Sequence, residues 1–403
     1  MTITLEPFSP TLLPSRLPKV DVEALYVHVP FCFHKCHYCD FYSITRQTPE
    51  RMAHFVDLVL READGWAERA KGPTARPRTI FFGGGTPTLL PVEQMRRLIV
   101  GLRKRFDFSL VDEFTVEANP ATLSDEFAAM LREAGVDRLS FGAQSFDRAE
   151  LATLERHHDP DDVPRSIDIA RRAGFTRLNV DLIYAIPGQT IEKWSQSLEQ
   201  AIALDTPHLS CYGLTYEPNT PIAVKKRLGT MTAIEESLEL DMMRITRRRL
   251  AEVNRPAYEI SNYAAAGEEC RHNLVYWTGG SYIGLGPSAA SHVHGWRWKN
   301  RPHLGEWENA IEADRLPATD VEQLTPSQRA GELAMLLLRL TDGLNFAAFA
   351  DRTGRDARQL FAAQIDQLAP TGLITVDDRA IRLTERGLGV ADAVAAEFLA
   401  PAS

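Results

Sequence analysis

The stretch Tyr26-Val-His-Val-Pro-Phe-Cys32-Phe-His-Lys-Cys36-His-Tyr-Cys39-Asp-Phe-Tyr42 decides how this chain is read. Three of its five cysteines fall here, at the spacing C-x3-C-x2-C. The apolar run Ala24–Val29 just before them reads as a β-strand, so the cysteines lie on the loop that leaves it. Thiolates are soft ligands that suit iron–sulfur clusters or zinc. A four-iron cubane usually takes four cysteine ligands. Three from one short loop leave one iron open to a small molecule. The competing reading is zinc with His34 or His37 as fourth ligand. Structural zinc does use Cys3His sets, but its ligands usually come as two separated pairs, and no second pair follows.

Outward from this loop, short apolar runs alternate with helical periodicity as far as about Glu217. That alternation reads as repeated βα units on a parallel sheet. Strands are expected at Ala24–Val29, Thr79–Phe82, Glu113–Glu117, Arg138–Phe141, Arg177–Ile183 and His208–Leu214. Met52, Phe55, Val56, Val59, Leu60 and Ala63 share one face of a helix beginning at Glu50. Gly72–Pro77 is a turn-rich break. Ser124 is a good N-cap for a helix that stops at Gly135. Six such units make a partial (β/α)6 barrel over residues 21–230. In parallel α/β architectures the chemistry collects at the C-terminal strand ends. The unusual residues fall there. They are the glycine run Gly83-Gly84-Gly85-Thr86-Pro87, then Asn119-Pro120, Gly142-Ala-Gln144-Ser-Phe146 and Tyr184-Ala-Ile-Pro187-Gly188. Consecutive glycines let a ligand approach bare backbone amides. No Gly-Lys-Ser/Thr follows, so this is not a Walker loop.

The chain has 403 residues, 44% of them hydrophobic and 25% charged, as in an ordinary globular protein of two or three domains. No stretch approaches a transmembrane helix. Residues 1–20, with four prolines and Glu6, lack a basic start and an apolar core; they read as a flexible tail and not a secretory signal. An odd cysteine count with three clustered argues for a reducing, cytoplasmic setting. Cys211 and Cys270 are isolated and read as small buried apolar residues. The net charge of −9 argues against nucleic acid as a partner.

After residue 230 the rhythm changes. Ile234–Val253 reads as a long helix and Tyr258–Tyr263 as a short strand. The connecting region 231–320 concentrates His272, Tyr276, Trp277, Tyr282, His292, His294, Trp296 and Trp298. In 321–403, two short helices around Gly354 precede a hairpin, Leu373–Val376 with Ala380–Leu383. This α+β pattern is winged-helix-like. Acidic residues outnumber basic ones in 346–403, so an interaction or lid domain fits better than DNA binding.

C-x3-C-x2-C with Tyr38 before its last cysteine resembles the signature of the radical S-adenosylmethionine (SAM) superfamily. Tyr-Val-His-Val-Pro-Phe-Cys resembles the branch of oxygen-independent coproporphyrinogen III oxidase and its relatives. The resemblance implies that Cys32, Cys36 and Cys39 hold a 4Fe–4S cluster and that SAM chelates the open iron. One electron from the reduced cluster then cleaves SAM to methionine and a 5′-deoxyadenosyl radical. It also implies SAM contacts at Gly84, Gly85 and Thr86, where the glycine loop takes the methionine amino group. Further SAM contacts are implied at Tyr26, Tyr38, Glu117, Gln144, Arg156, Asp181 and Gly213. Carboxylates can accept from ribose hydroxyls, and Arg156 can pair with the SAM carboxylate.

Two departures separate the chain from the oxidase. Phe41 stands where the oxidase has a fourth cysteine, and the N-terminal extension is short. Both look like the HemW-type branch, regarded as heme chaperones that bind heme and pass it to an acceptor protein. That branch's His-Asn-x-x-Tyr-Trp signature is intact at His272–Trp277. A histidine nitrogen is a common axial ligand to heme iron. The resemblance therefore implies heme at His272, Tyr276 and Trp277, with His292 and His294 as further candidates. The bland alternative for His272 is a hydrogen-bonded histidine in an aromatic core. The alternative functions are oxidative decarboxylation of coproporphyrinogen, and a zinc-stabilised interaction protein without redox chemistry.

Overall fold

The computed structural model describes residues 13, 21–69 and 75–399. The tail expected over 1–20 lies outside them except for Leu13, as does the first half, 72–74, of the turn expected at 72–77. The apolar runs form six parallel strands hydrogen-bonded in chain order: β1 (Ala24–Val29), β2 (Thr79–Gly84), β3 (Glu113–Ala118), β4 (Arg138–Gln144), β5 (Arg177–Tyr184) and β6 (His208–Gly213). Between them run α1 (Pro49–Arg69), α2 (Val92–Arg103), α3 (Asp125–Glu133), α4 (Arg148–Thr153), α5 (Asp162–Arg172) and α6 (Ile191–Ala203). Local chemistry starts these helices. Ser124 Oγ accepts the Phe127 amide at 3.1 Å, and Asp147 Oδ1 accepts the Ala149 and Glu150 amides. The strands alternate as a half-covered sheet must. Ile80, Phe82, Phe114, Val116, Leu139 and Phe141 join the helices in the core. The intervening residues line a polar interior: Asn179 Nδ2 donates to Ser140 and Asp181, and Asn179 Oδ1 meets His208 Nδ1 at 2.6 Å.

After α7 (Pro221–Arg227) and α8 (Glu236–Glu252), the expected strand at 258–263 is shorter and later, as β7 (Asn262–Ala264), antiparallel to β6. The aromatic-rich stretch then builds α9 (Arg271–Trp277), β8 (Tyr282–Leu285), β9 (Ala290–Val293) and β10 (Trp296–Asn300). Next come α10 (Leu304–Glu312) and β11 (Ala318–Gln323). β8 pairs parallel to β1, from Ala24↔Tyr282 to Val27↔Leu285. The sheet therefore has eleven strands, in the order β11-β10-β9-β8-β1-β2-β3-β4-β5-β6-β7. His294 and Gly295 both have positive φ, 48° and 87°. They close the β9–β10 hairpin in the manner of a type I′ turn. Glu62 of α1 ties this extension to the barrel. It accepts from the Gly286 amide at 2.8 Å, Asn300 Nδ2 at 2.6 Å and Trp307 Nε1 at 3.0 Å.

The C-terminal part starts with α11 (Pro326–Leu337), whose Thr325 and Gln328 form a capping box. Short helices at Phe346–Thr353, Ala357–Leu360 and Ala362–Leu368 follow, the first ending at left-handed Gly354. β12 (Leu344–Asn345), β13 (Ile374–Val376) and β14 (Ala380–Leu383) make a three-stranded sheet. Leu333, Leu337, Phe349, Phe361, Ile381 and Phe398 form its separate core.

Candidate cluster and cofactor site

The cysteine loop is closed at its base. The Cys32 amide donates to Ile44 O at 3.0 Å and the Ile44 amide to Pro30 O at 2.7 Å. It is strapped at its tip as well: the His37 amide donates to Leu154 O and the Ile222 amide to His37 O, both at 3.1 Å. All three cysteines are free thiols, Cys36 buried and the other two partly so. Burial raises the Cys32 thiol and pushes Cys39 up to about 11. Arg156 Nη1 donates to Cys36 Sγ at 3.7 Å, and Thr86 Oγ1 lies 3.8 Å from Cys32 Sγ. A tetrahedral zinc with bonds near 2.3 Å would hold its sulfurs about 3.8 Å apart. Among the described residues, the only three His, Cys, Asp or Glu groups with ligand atoms all within 4.8 Å of one another are His34, Glu155 and His157. The three cysteine sulfurs do not all lie within that distance of one another. Phe41 follows the third cysteine with 66% of its surface exposed and offers no ligand.

The glycine run lies against the backbone that leads into the cysteines. The Gly85 amide donates to Val29 O at 2.9 Å and the Thr86 amide to Phe31 O at 2.7 Å. A β-carbon on Gly85 would sit 2.6 Å from Val29 O. Gly84 has φ 98°, and its amide donates to Glu117 Oε2 at 3.1 Å. Buried His28 lies beneath it. Its Nε2 donates to Tyr42 O at 2.8 Å, so its Nδ1 accepts from the Tyr26 hydroxyl at 3.1 Å.

The remaining residues expected to meet SAM stand along the strand ends. Gln144 closes β4 in the left-handed region, φ 66°. Arg156 Nη2 donates to Gly142 O at 2.7 Å and its Nε to His158 Nδ1 at 3.2 Å. Asp181 accepts from Asn179 Nδ2 at 2.7 Å and Ser140 Oγ at 3.3 Å, yet burial still raises its carboxyl. Burial, with Asp181 nearby, pushes the Glu117 carboxyl up to about 8. Tyr38 packs against Leu154, Ile183 and Ile222. Gly213 pairs with Tyr184 at the end of β6, and a β-carbon there would meet Glu239 Oε1 at 2.6 Å. Sequence reasoning passed over His28, Ser140, Asn179 and His158. The strand alternation that sets His28 two residues after Tyr26 was the available signal for the first of these.

His272, Tyr276 and Trp277 lie toward the opposite end of the barrel. Glu113, the first residue of β3, accepts the Arg271 and His272 amides at 3.0 Å each and so seats the start of α9. His272 is 1% exposed. Its Nδ1 meets Thr79 Oγ1 at 2.9 Å and its Nε2 meets the Tyr276 hydroxyl at 2.7 Å, so neither nitrogen is free in this arrangement. Burial pushes it down to about 3. The Arg339 guanidinium lies 5.0 Å over the Trp277 ring. Tyr276 also walls a cavity of about 530 Å³ between the sheet extension, α11 and the helix Phe346–Thr353, lined in addition by Tyr282, His292, Arg297, Arg329 and Leu333. His294 instead sits in the hairpin turn. An unbroken series of rings joins the two ends: Tyr26–Phe81 (6.3 Å), Phe81–His272 (5.1 Å), His272–Tyr276 (5.0 Å), Tyr276–Tyr282 (4.5 Å) and Tyr282–His292 (6.1 Å).

Residues 26–201 match the Radical SAM superfamily, and residues 324–390 match the HemN C-terminal domain. The chain is 35% identical to the Heme chaperone HemW of Bacillus subtilis (strain 168), over 94% of this chain and 99% of that one. It is 34% identical to the Heme chaperone HemW of Mycobacterium tuberculosis (strain ATCC 25618 / H37Rv), over 97% and 98%. Among solved structures it superposes on coproporphyrinogen III oxidase (HemN) from Escherichia coli with a TM-score of 0.82. That match covers 94% of this chain and 91% of the oxidase at 22% identity, and speaks for the fold. No helix among the described residues is long and apolar enough to cross a membrane. The superfamily implies a 4Fe–4S cluster and SAM, and the donor set fits both: three free cysteines on one loop, beside the glycine run and the carboxylates of Glu117 and Asp181. The chain belongs to the HemW family of the radical SAM superfamily.

Proposed function

We propose that the protein binds heme and hands it to an acceptor protein, the role named for its HemW relatives. The observation that carries this reading is the cavity of about 530 Å³ walled by Tyr276 of the His-Asn-x-x-Tyr-Trp motif, within the range of small-molecule sites. Heme lies against Tyr276, Tyr282 and Leu333. Its propionates turn to Arg329, which forms no ion pair among the described residues, whereas Arg297 is held by Glu322 and Glu332. His292 supplies the axial nitrogen. Its Nδ1 donates to Gly280 O at 3.1 Å, which leaves the Nε2 lone pair facing the Gly295 amide at 3.1 Å, a contact that heme iron displaces. His272 acts one step back and positions Tyr276.

At the other end, Cys32, Cys36 and Cys39 hold the cluster, with Arg156 stabilising Cys36. The Gly84–Thr86 segment, Tyr26, Tyr38, Glu117, Gln144, Asp181 and Gly213 bind and orient SAM. When bound, the cluster with SAM supplies one-electron chemistry.

The test is an anaerobic heme titration of the cluster-loaded protein, followed in the Soret region. Saturation near one equivalent is expected, with the band shifted in His292→Ala and binding weakened in Tyr276→Ala. No saturation, or two variants that behave like the wild type, would overturn the assignment.

A further inference from the structure

A second group of donors lies on the outer side of the cysteine loop. His34 stands between Cys32 and Cys36, and Glu155 and His157 flank Arg156. The strap from the His37 amide to Leu154 O brings the two segments together. The His34 and His157 rings stack at 4.1 Å with 18° between their planes. Both present Nε2 to one carboxylate oxygen: Glu155 Oε2 is 3.9 Å from His34 and 3.7 Å from His157. Those separations are too long for hydrogen bonds. The Nε2 of His34 is shielded from solvent and has no hydrogen-bond partner. Glu155 is held at φ 53°, where side-chain-bearing residues are uncommon. His37 also faces Glu155, its Nδ1 3.9 Å from Oε1, but that nitrogen lies 3.1 Å from Lys225 Nζ and is unsuited to a cation.

Two imidazoles and a carboxylate form a common donor set for zinc and its neighbours in the first transition row. Around a tetrahedral ion with bonds near 2.0–2.1 Å, ligand atoms lie about 3.3 Å apart. The three donor atoms already lie within 4.8 Å of one another, and small rotations of the exposed His157 and the half-buried Glu155 side chains close the gap.

We propose that His34, Glu155 and His157 bind a first-row divalent transition-metal ion, separately from the cysteine site and with water in the remaining position. The ion would tie the cysteine loop to the segment that carries Arg156, whose Nη1 donates to Cys36 Sγ.

The test is calorimetric titration of Zn²⁺ into the cluster-loaded protein under anaerobic conditions, with iron content measured before and after. One equivalent should bind with iron unchanged, and His157→Ala and Glu155→Gln should each weaken binding roughly tenfold or more. His157 is an exposed side chain, so its variant keeps the test decisive if Glu155→Gln misfolds. Absence of saturable binding, equal binding by both variants, or binding accompanied by loss of iron would overturn the proposal.

Discussion

Gly84 and His28 compete for one space: a β-carbon on Gly84 would lie 2.4 Å from the His28 ring. The ring has nowhere to go, because Tyr26 and the Tyr42 carbonyl hold its two nitrogens. Gly84 also sits at φ 98°. The Gly84→Ala variant therefore meets both a clash and backbone strain, together worth about 2–4 kcal/mol. A lowered denaturation midpoint and reduced iron uptake are expected. An unchanged midpoint would show that the strand end is more pliant than this packing implies.

Glu62 gives a stability signal independent of any ligand. Burial pushes its carboxyl up to about 8. The folded protein then holds a proton that the unfolded chain has lost, from about pH 4.5 to about 8. Stability must fall as pH rises through that window, by at most about 1.4 kcal/mol per pH unit. Glu62→Gln should remove this group's share of the slope. Denaturant titrations at several pH values compare the two proteins, and equal slopes would contradict the assignment.

The His272–Tyr276 contact predicts a graded effect. Tyr276→Phe keeps the ring and leaves a buried imidazole nitrogen unpaired, a loss of about 1–3 kcal/mol. The variant should unfold at lower denaturant and bind heme more weakly, while SAM affinity, read at the other end of the barrel, stays as in the wild type. A Tyr276→Phe protein with wild-type stability would mean that the contact contributes nothing.

Arg156 uses all three guanidinium nitrogens, on Cys36 Sγ, Gly142 O and His158 Nδ1. Lysine cannot reproduce that fork. Arg156→Lys should weaken SAM binding to the cluster-loaded protein roughly tenfold, about 1.4 kcal/mol, as measured by calorimetry. Retained affinity would limit the residue to charge alone.

The six parallel strands were legible because each is an apolar run bounded by turn residues. The cysteine spacing and the glycine run announced themselves in the same way. β8–β11 were not legible. They are four to six residues long, their alternation is cut by turns at Gly286 and His294-Gly295, and the β1–β8 pairing joins Ala24 to Tyr282 without any local signal. The same holds within the site. That His272 would meet Thr79, 193 residues away, depends on how α9 docks under the barrel. Only the assembled fold reveals that both its nitrogens are occupied.

The parallel pairing of β8 with β1 also orders events during biosynthesis. β1 leaves the ribosome before β2, which can pair with it as soon as it emerges. Its other edge, with Leu25, Val27 and Val29 in the strand, waits for residues 282–285 to emerge. Until then the strand that leads into the cysteines is an open template for intermolecular pairing. A chain that stalls before residue 282 would present that edge to its neighbours.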